Sequence, residues 1–282
     1  MADAQTSSSL LRALPRRFRR WFAGTTPSAG DAAAGAVVFL CNVCGAQCRV
    51  EPVAIARETP SCHSCGSTVR TRAIIHLLTT ELFGRSIALP EVPERKDIVG
   101  IGLSDSESYA QPLARKLAYA NTFFHAEPRL DIADVPLDRS ALYDFIIASD
   151  VFEHVAPPVS RAFANARRLL KASGVLIFTV PFTLEADTDE HFPGLCDYRL
   201  RETREGWVLQ NRAADGREQV YTDLVFHGGP GSTLEMRVFS RAALEREFAS
   251  AGFSRLRIAA EPCPEHGIAW PEPWSVPMVA YA

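Results

Sequence analysis

Two short cysteine turns lie near the amino end of this 282-residue chain. They read Cys41-Asn-Val-Cys44-Gly and Cys62-His-Ser-Cys65-Gly, so a glycine that lets the backbone curl follows each pair. Structural Zn²⁺ takes four soft ligands in a tetrahedron, and two facing CxxC turns supply four thiolates. The spacing therefore predicts a small zinc ribbon in which Cys41, Cys44, Cys62 and Cys65 hold a structural zinc ion. Because protein groups fill all four positions, no position is left for a substrate.

The same cysteines allow two other interpretations, which the spacing favours less. Two disulfide bonds would suit a secreted protein, but the amino end shows no apolar signal core. A thioredoxin-like redox site needs one CxxC turn that opens a helix, whereas this chain has two such turns. Cys48 and His63 lie close by and are expected to be bystanders. Thiolates held on a metal indicate a reducing compartment, so a cytoplasmic location is expected.

A second set of candidate residues follows apolar segments that are typical of buried strands. Asp150 and His154 lie two and six residues after the apolar segment 143–148. Either side chain could take a proton from an acceptor group, although His154 could instead be a helix-start residue satisfied by the backbone. An insertion further along carries three side chains that could face a substrate: His191, Tyr198 and His227. The alternative for the two histidines is structural, with His227 capping a glycine turn and His191 packed at the base of a hairpin.

These residues need a scaffold, and the pattern beyond residue 96 predicts one. Apolar strand candidates alternate with helical segments, which is typical of a parallel sheet with helices on both faces. The predicted elements are strands 97–102, 121–125, 143–148 and 174–180, helices 109–117 and 159–170, a last helix 240–252 and strands near 256–259 and 277–281. A helix over 71–83, with Gly84 as its stop, precedes them. Ligands bind beyond the carboxyl ends of such strands, where Asp150 and Pro181 are expected.

Residues 97–182 resemble class I S-adenosylmethionine-dependent methyltransferases, and the resemblance runs through most of the remaining chain. Its clearest piece is Tyr143-Asp-Phe-Ile-Ile-Ala-Ser-Asp-Val-Phe-Glu-His-Val155, which is similar to the fourth-strand motif of that family. The stretch Leu169-Leu-Lys-Ala-Ser-Gly-Val-Leu-Ile-Phe-Thr-Val-Pro-Phe182 is similar to the loop and fifth strand that follow. The resemblance implies an α/β fold with a Rossmann-like methyltransferase sheet, parallel with an antiparallel C-terminal hairpin. It also implies methyl transfer with S-adenosyl-L-methionine as cofactor.

The family's cofactor loop corresponds here to Val99-Gly-Ile-Gly-Leu-Ser-Asp-Ser106, in which serines stand where further glycines are usual. The resemblance places seven residues at the cofactor: Gly100, Gly102, Ser104, Ser106, Glu127, Asp131 and Asp134. Glu127 would hold the ribose hydroxyls, and Asp131 or Asp134 would border the adenine. For each of these acids, a solvated loop position is the alternative.

The predicted domain organisation has four parts. They are a basic tail over 1–36, the zinc ribbon over 37–70, a connecting helix and linker over 71–95, and a methyltransferase-like domain over 96–282 with an insertion at about 183–238. The tail contains an arginine-rich segment at 10–22 that could contact an anionic membrane surface weakly, or could be a mobile tail with one transient helix. No apolar run reaches the length of about 18 to 20 residues that crosses a bilayer.

Three functions are compatible with these features. The first is methyl transfer to a small-molecule or glycan-like acceptor. The second is a catalytically silent methyltransferase fold that serves as a binding module, with the ribbon as a docking surface. The third is RNA methylation, and the formal charge of -3 counts against it because such enzymes need phosphate-neutralising charge. The sequence indicates neither the acceptor nor the oligomeric state.

Overall fold

The computed structural model describes residues 35–227, 229–271 and 273–282. The basic segment 10–22, with its predicted membrane contact, lies outside the described residues. Two compact units are present: residues 191–236 belong to the smaller one, and residues 35–190 and 237–282 form the larger one. Each helix of the described residues is too short or too polar to span a bilayer.

The elements are numbered in chain order. The helices are α1 (Val69–Phe83), α2 (Glu107–Lys116), α3 (Ser160–Leu169) and α4 (Arg241–Ser250). The strands are β1 (Val37–Leu40), β2 (Gln47–Val50), β3 (Arg95–Leu103), β4 (Leu117–Thr122), β5 (Tyr143–Ser149), β6 (Leu170–Thr179), β7 (Phe182–Thr183), β8 (Asp189–Glu190), β9 (Asp197–Thr203), β10 (Gly206–Arg212), β11 (Glu218–Tyr221), β12 (Phe226–His227), β13 (Thr233–Leu234), β14 (Arg237–Ser240), β15 (Arg255–Ile258) and β16 (Met278–Tyr281). Strands β9 to β13 lie in the smaller unit, and the other elements lie in the larger one.

The larger unit begins with the hairpin of β1 and β2, whose connection carries the first cysteine turn. Helix α1 follows the second turn. Its N-cap residue Thr68 accepts a hydrogen bond from the amide of Thr71, and the Thr71 hydroxyl accepts one from the amide of Thr68. The helix ends at Gly84, whose φ of 72° is the left-handed conformation that stops helices. The predicted helix and its glycine stop are therefore confirmed.

The central sheet of the larger unit has six strands in the order β15-β16-β6-β5-β3-β4. Strands β3 to β6 are parallel, whereas β16 is antiparallel to both β6 and β15. The predicted sheet, parallel with an antiparallel hairpin from the end of the chain, is confirmed. Because β4 lies on one side of β3 and β5 lies on the other, the strand order reverses at β3. This reversal makes a topological switch point at the carboxyl ends of β3 and β5.

The prediction of a strand over 121–125 is wrong in position. Helix α2 ends at Lys116 and β4 begins at once with Leu117, whose side chain is buried like that of Tyr119. The strand therefore begins at residue 117, four residues before the predicted start at 121. Beyond β4, a single parallel bridge joins Phe123 and Arg129.

Both faces of the central sheet are buried, because successive strand residues point to opposite sides. Phe145 and Ile147 of β5 pack with α1, α2 and the cysteine turns in one hydrophobic cluster. Ile146 and Ala148 pack with α3 and α4 in another. The ribbon and the sheet thus share one core, and the domain boundaries drawn at residues 70 and 95 stay a prediction.

In the smaller unit, β10 pairs antiparallel with both β9 and β11. The turn between β10 and β11 contains Asp215 and Gly216, whose left-handed φ of 84° suits a glycine. Leu209 and Asn211 are buried on one face of this sheet, and the Asn211 amide donates to the carbonyl of Gly194 at 3.0 Å. This bond joins β10 to the segment that precedes β9.

Candidate functional site

The four cysteines predicted to bind zinc come together in the larger unit. In each turn the glycine amide donates to the carbonyl of the first cysteine, at 2.7 Å in the first turn and 2.8 Å in the second. All four Sγ atoms lie within 4.8 Å of one another, with 3.7 Å between Cys41 and Cys65 and 3.6 Å between Cys44 and Cys62. A tetrahedron of sulfurs about 2.3 Å from zinc has edges of about 3.8 Å, so the donor set fits the ion.

The four cysteines are not paired in disulfides, and two nearby residues stay outside their cluster. The separations of 3.6 and 3.7 Å between the sulfurs of the four cysteines are far longer than the S–S bond of a disulfide, about 2.0 Å. Cys48 donates to the carbonyl of Ala46 at 3.6 Å, and burial raises the pKa of its thiol to about 12. His63 is exposed and lies outside the cluster. Cys48 and His63 are therefore not members of the four-sulfur cluster.

Asp150 lies at the switch point, directly after β5, with a left-handed φ of 54°. Its amide donates to the carbonyl of Thr179, and its Oδ1 accepts from the Thr179 hydroxyl at 2.9 Å. Arg57 donates to both carboxylate oxygens, at 3.0 and 2.8 Å, and Arg70 Nε lies 3.3 Å from Oδ2. Burial raises the pKa of Asp150, but the charges of Arg57 and Arg70 outweigh it and hold that pKa well below its usual range. This predicted catalytic residue is therefore placed as an anchored anion, which is a poor proton acceptor.

The two arginines that meet Asp150 come from the cysteine-turn region. Arg57 lies between the two turns, and Arg70 lies in the first turn of α1. Glu58 contacts both, and Arg70 donates to its two carboxylate oxygens at 2.8 Å each. Arg70 also donates to the hydroxyl of Ser149. Sequence reasoning missed Arg57, because no local pattern marks a loop arginine that contacts a carboxylate 93 residues away.

The two glycines of β3 make room for side chains of neighbouring residues. A Cβ added to Gly100 would lie 2.2 Å from the ring of Phe145. A Cβ added to Gly102 would lie 2.0 Å from the Tyr119 hydroxyl and 2.1 Å from the carboxylate of Asp105. Tyr119 and Phe145 stack with parallel rings 6.0 Å apart over this part of β3. The structure thus gives both glycines a packing role, and their predicted contact with a cofactor stays a prediction.

Asp105 is a buried acid in the loop after β3, and its sequence pattern alone did not mark it as a candidate. Its Oδ2 accepts from the Tyr119 hydroxyl at 2.6 Å. The side chain of Asn121 fixes its backbone, accepting from the Asp105 amide and donating to its carbonyl at 2.9 Å each. Burial raises the pKa of Asp105 to about 7. A signal that could have revealed this residue is its place between two serines where the family pattern has small residues.

The serines on either side of Asp105 are exposed at the carboxyl edge of the sheet. Ser104 has a left-handed φ of 58°, and its amide donates to the carbonyl of Thr122 at 2.7 Å. Ser106 is the N-cap of α2, where its hydroxyl accepts from the amide of Ser108. Two small hydroxyls and the amino end of a helix therefore face outward at the switch point, a polar setting that fits a ligand carboxylate.

The three candidate acids beyond β4 occupy loop turns. Glu127 is exposed and accepts from the amide of Arg129 at 3.0 Å. Asp131 accepts from the amide of Ala133 at 2.9 Å, and Asp134 is exposed. The bond of Asp131 is that of an ordinary Asx turn. The roles of the three acids toward ribose and adenine stay a prediction.

His154 closes the short 3₁₀ turn Phe152–His154 that follows Asp150. Its amide donates to the carbonyl of Val151, and its Nε2 lies 3.8 Å from Oε1 of Glu153. Arg237, a buried residue that sequence reasoning missed, donates to the carbonyl of Val155 at 2.6 Å and so fixes this turn. The main-chain bond of His154 is the one expected of a structural residue, while the imidazole of His154 stays a catalytic candidate.

In the smaller unit, Glu235 brings two of the predicted histidines together. The buried His191 has Nδ1 at 3.1 Å from the carbonyl of Glu235 and Nε2 at 3.7 Å from its Oε1. His227, which is partly exposed, has Nε2 at 3.1 Å from Oε2 of the same carboxylate. Tyr198 lies on β9, opposite Asn211 of β10. Roles of His191, Tyr198 and His227 toward a substrate stay a prediction.

Comparison with known proteins gives one family. A sequence profile described as a methyltransferase domain matches residues 84–257. No curated protein matches the chain at a significant level.

Several solved structures align with this chain at low sequence identity and with TM-scores below 0.5. One is 1,6-didemethyltoxoflavin-N1-methyltransferase of Burkholderia thailandensis with bound 1,6-didemethyltoxoflavin and S-adenosylhomocysteine, at 15% identity and a TM-score of 0.42, covering 74% of this chain and 76% of that one. A sugar N-methyltransferase from a Streptoalloteichus species has 13% identity and a TM-score of 0.40, covering 73% and 84%. An S-adenosylmethionine-dependent methyltransferase of Mesorhizobium loti has 14% identity and a TM-score of 0.38, covering 78% and 100%.

Proposed function

The chain belongs to the methyltransferase domain family, and we propose that it transfers a methyl group from S-adenosyl-L-methionine to a small-molecule or glycan-like acceptor. The observation that carries the proposal is the family match over residues 84–257, which includes the whole parallel part of the sheet and its switch point. The formal charge of -3 supports a small or glycan-like acceptor over RNA.

The register of the strands supports the location of the donor site. Gly102 of β3 is opposite Ile147 of β5, so the loop that carries Ser104 and Ser106 continues beside Ser149 and Asp150. Ligands of open α/β sheets bind in the crevice outside the carboxyl ends of the strands at such a reversal. We therefore place the donor site between the loop after β3 and the end of β5.

The residues at this edge suit the parts of the donor. The hydroxyls of Ser104 and Ser106 and the amino end of α2 would bind its carboxylate. Glu127 would hold the ribose hydroxyls, and Asp131 or Asp134 would border the adenine. When bound, S-adenosyl-L-methionine supplies an activated methyl group on sulfur. The chain then has to align the acceptor and exclude water, which accounts for much of the catalysis of a one-step displacement.

Proton removal is needed only when the acceptor loses a proton during attack. Asp150 is unsuited to this role, because its carboxylate is ionised and bound by two arginines. The other predicted candidate of the larger unit is His154, which lies in the short turn that follows β5. We therefore propose His154 as the proton acceptor of that unit, and His191 and His227 as substrate-side residues of the smaller one.

The four-cysteine cluster is proposed to hold one structural Zn²⁺. The donor chemistry and the 3.6 and 3.7 Å sulfur separations support this assignment. Since all four ligands come from the chain, the ion has no open position for chemistry. Its contribution is to the folding of the turns around it.

Calorimetric titration of the full chain with S-adenosylmethionine and S-adenosylhomocysteine tests the function. We expect both to bind, and the double variant Glu127→Ala/Asp131→Ala to bind them more weakly. An exposed acid elsewhere, changed in Asp138→Ala, is the matched control and should bind as the unchanged protein does. Absence of binding at millimolar ligand would refute the proposal and favour the silent binding module.

A further inference from the structure

We propose that the zinc ribbon is a positioning part of the methyl-donor site, because Arg57 and Arg70 hold Asp150 in place at the switch point. In consequence, zinc binding in the ribbon and donor binding at the switch point strengthen each other. This inference rests on the proposed function and adds to it a coupling between two sites of the larger unit.

The conformation of Asp150 depends on its partners. A residue other than glycine is uncommon at a left-handed φ such as the 54° of Asp150, and it persists where surrounding contacts determine it. Thr179 supplies two of these contacts, one to the main chain and one to the side chain. The paired hydrogen bonds from Arg57 and the approach of Arg70 supply the rest. The backbone beside the donor crevice is therefore held partly by the ribbon.

Arg57 reaches more than one part of the sheet edge. Its Nε donates to the carbonyl of Ser275 at 3.0 Å, and the Ser275 hydroxyl accepts from the amide of Phe182, just beyond β6. Its own carbonyl accepts from the amide of Arg70 at 3.2 Å, so the two arginines are tied to each other. One side chain thus connects the ribbon with the ends of both β5 and β6.

The charges in this cluster balance, and most of them are shielded from water. Two guanidinium groups, of Arg57 and Arg70, face two carboxylates, of Asp150 and Glu58. The Asp150 side chain is 17% exposed and that of Arg57 is 20% exposed. Removing one partner of a buried pair leaves an uncompensated charge and is strongly unfavourable. Displacement of the ribbon would therefore also displace the loop that begins at Asp150.

The segment that carries Arg57 depends in turn on the metal site. This segment runs from β2 to the second cysteine turn, and its regular structure consists of the short 3₁₀ turn Pro52–Ala54. A two-stranded hairpin is marginally stable by itself, and binding of zinc to such a site is coupled to folding. The ion should hence order the Arg57 loop. Because thermodynamic coupling is reciprocal, a ligand at the switch point should tighten zinc by the same factor.

The coupling can be measured without methyl transfer. Zinc affinity of the full chain is determined by competition with a chromophoric chelator, with and without saturating S-adenosylhomocysteine. We expect the ligand to tighten zinc binding about tenfold, within the usual range of coupling between sites. In Arg57→Gln and in Asp150→Asn, the tightening of zinc binding by the ligand should fall below about twofold. The double variant should lose no more of this coupling than the more affected single variant does.

A matched control is present at the opposite end of β3. Arg95 makes the same two-bonded contact with Asp97, at 2.8 and 2.6 Å, but on an exposed surface. Arg95→Gln should keep the full coupling. Arg57→Lys retains the charge without the paired hydrogen bonds and should give an intermediate value. Circular dichroism and zinc content establish that each variant is folded before its affinities are compared.

The outcomes separate the two proposals. If S-adenosylhomocysteine binds the unchanged protein but leaves zinc affinity as it was, the inference is wrong and the proposed function stands. If folded Arg57→Gln melts at a lower temperature yet binds the ligand normally and retains the coupling, Arg57 is merely structural and the inference is equally wrong. Absence of any ligand binding refutes the proposed function and this inference with it.

Discussion

The cysteine turns and strand β3 both require glycine, but for opposite reasons. In the second cysteine turn, Gly66 has a left-handed φ of 71°, and an added Cβ would meet no atom within 4 Å. Gly100 of β3 has an ordinary backbone conformation, and an added Cβ would lie 2.2 Å from the ring of Phe145. The first glycine serves its own backbone, and the second serves a side chain from a neighbouring strand. A glycine in a motif can thus be required by local conformation or by tertiary packing.

The largest expected effect concerns the metal side of this comparison. Cys44→Ser removes one of four ligands, and we expect zinc affinity to fall by about two orders of magnitude or more, with loss of ribbon structure. Zinc content after dialysis and circular dichroism measure the two effects. Cys48→Ser is the matched control, since Cys48 lies outside the cluster, and it should keep its zinc. Full zinc occupancy in the Cys44 variant would contradict the ligand assignment.

The next effect tests packing over β3. Gly100→Ala should lower the free energy of unfolding by about 3 kcal/mol, because the new Cβ forces Phe145 or the strand to shift. Urea denaturation measures the change. Combining it with Phe145→Leu, which removes the ring, should recover part of the loss, so that the two changes are not additive.

Two further glycines serve as controls for that substitution. Gly35→Ala should have little effect, because an added Cβ there meets no atom within 4 Å and the backbone is not left-handed. Gly66→Ala should cost about 1 kcal/mol through its left-handed backbone, and Gly66→Asn less, since Asn tolerates that conformation. Equal losses from Gly100→Ala and Gly66→Ala would remove the distinction between the two regions.

The smallest of the three effects depends on pH. The folded pKa of Asp105, about 7, lies above the value of about 3.9 for an unfolded Asp, so the folded state keeps the proton longer. The free energy of unfolding therefore falls as pH rises from about 4 to about 7 and is level above that. Between about pH 5.5 and 8, this group should account for a loss of about 2 kcal/mol.

Asp105→Asn tests that dependence, because the amide oxygen can still accept from Tyr119 while the side chain cannot ionise. The variant should show a flatter profile of unfolding free energy against pH, measured by urea denaturation at a series of pH values. Asp138→Asn, at an exposed position, should follow the unchanged protein. Identical profiles for Asp105→Asn and the unchanged protein would show that Asp105 does not titrate in this range.

Much of the fold could be predicted because its signals are local. Helix α1, β5, β6 and the final hairpin follow the expected periodicity, and Gly84 ends α1 as predicted. The predicted position of the second strand is wrong because its start depends on where α2 ends. That helix continues past Pro112 to Lys116, and no local signal in the sequence marks its last residue. The packing of Leu117 and Tyr119 onto the sheet fixes the boundary, and periodicity alone does not show this.

The candidate site was predicted less completely than the fold. The four cysteines and the position of Asp150 after β5 were identified from spacing and resemblance. Asp105 was missed because its burial depends on Tyr119, which the sequence does not place beside it. For Asp150, the predicted proton-accepting role depended on neighbours that only the folded chain reveals.

The sequence by itself determined the two cysteine turns and the order of strands and helices, because these depend on residues within a few positions of one another. Only the tertiary structure decided that Arg57 meets Asp150, 93 residues further along the chain, and that Phe145 covers Gly100. Charge pairing and steric fit act over a few ångströms of space, whatever the separation along the chain. Those contacts therefore exist only once the sheet and the ribbon have packed together.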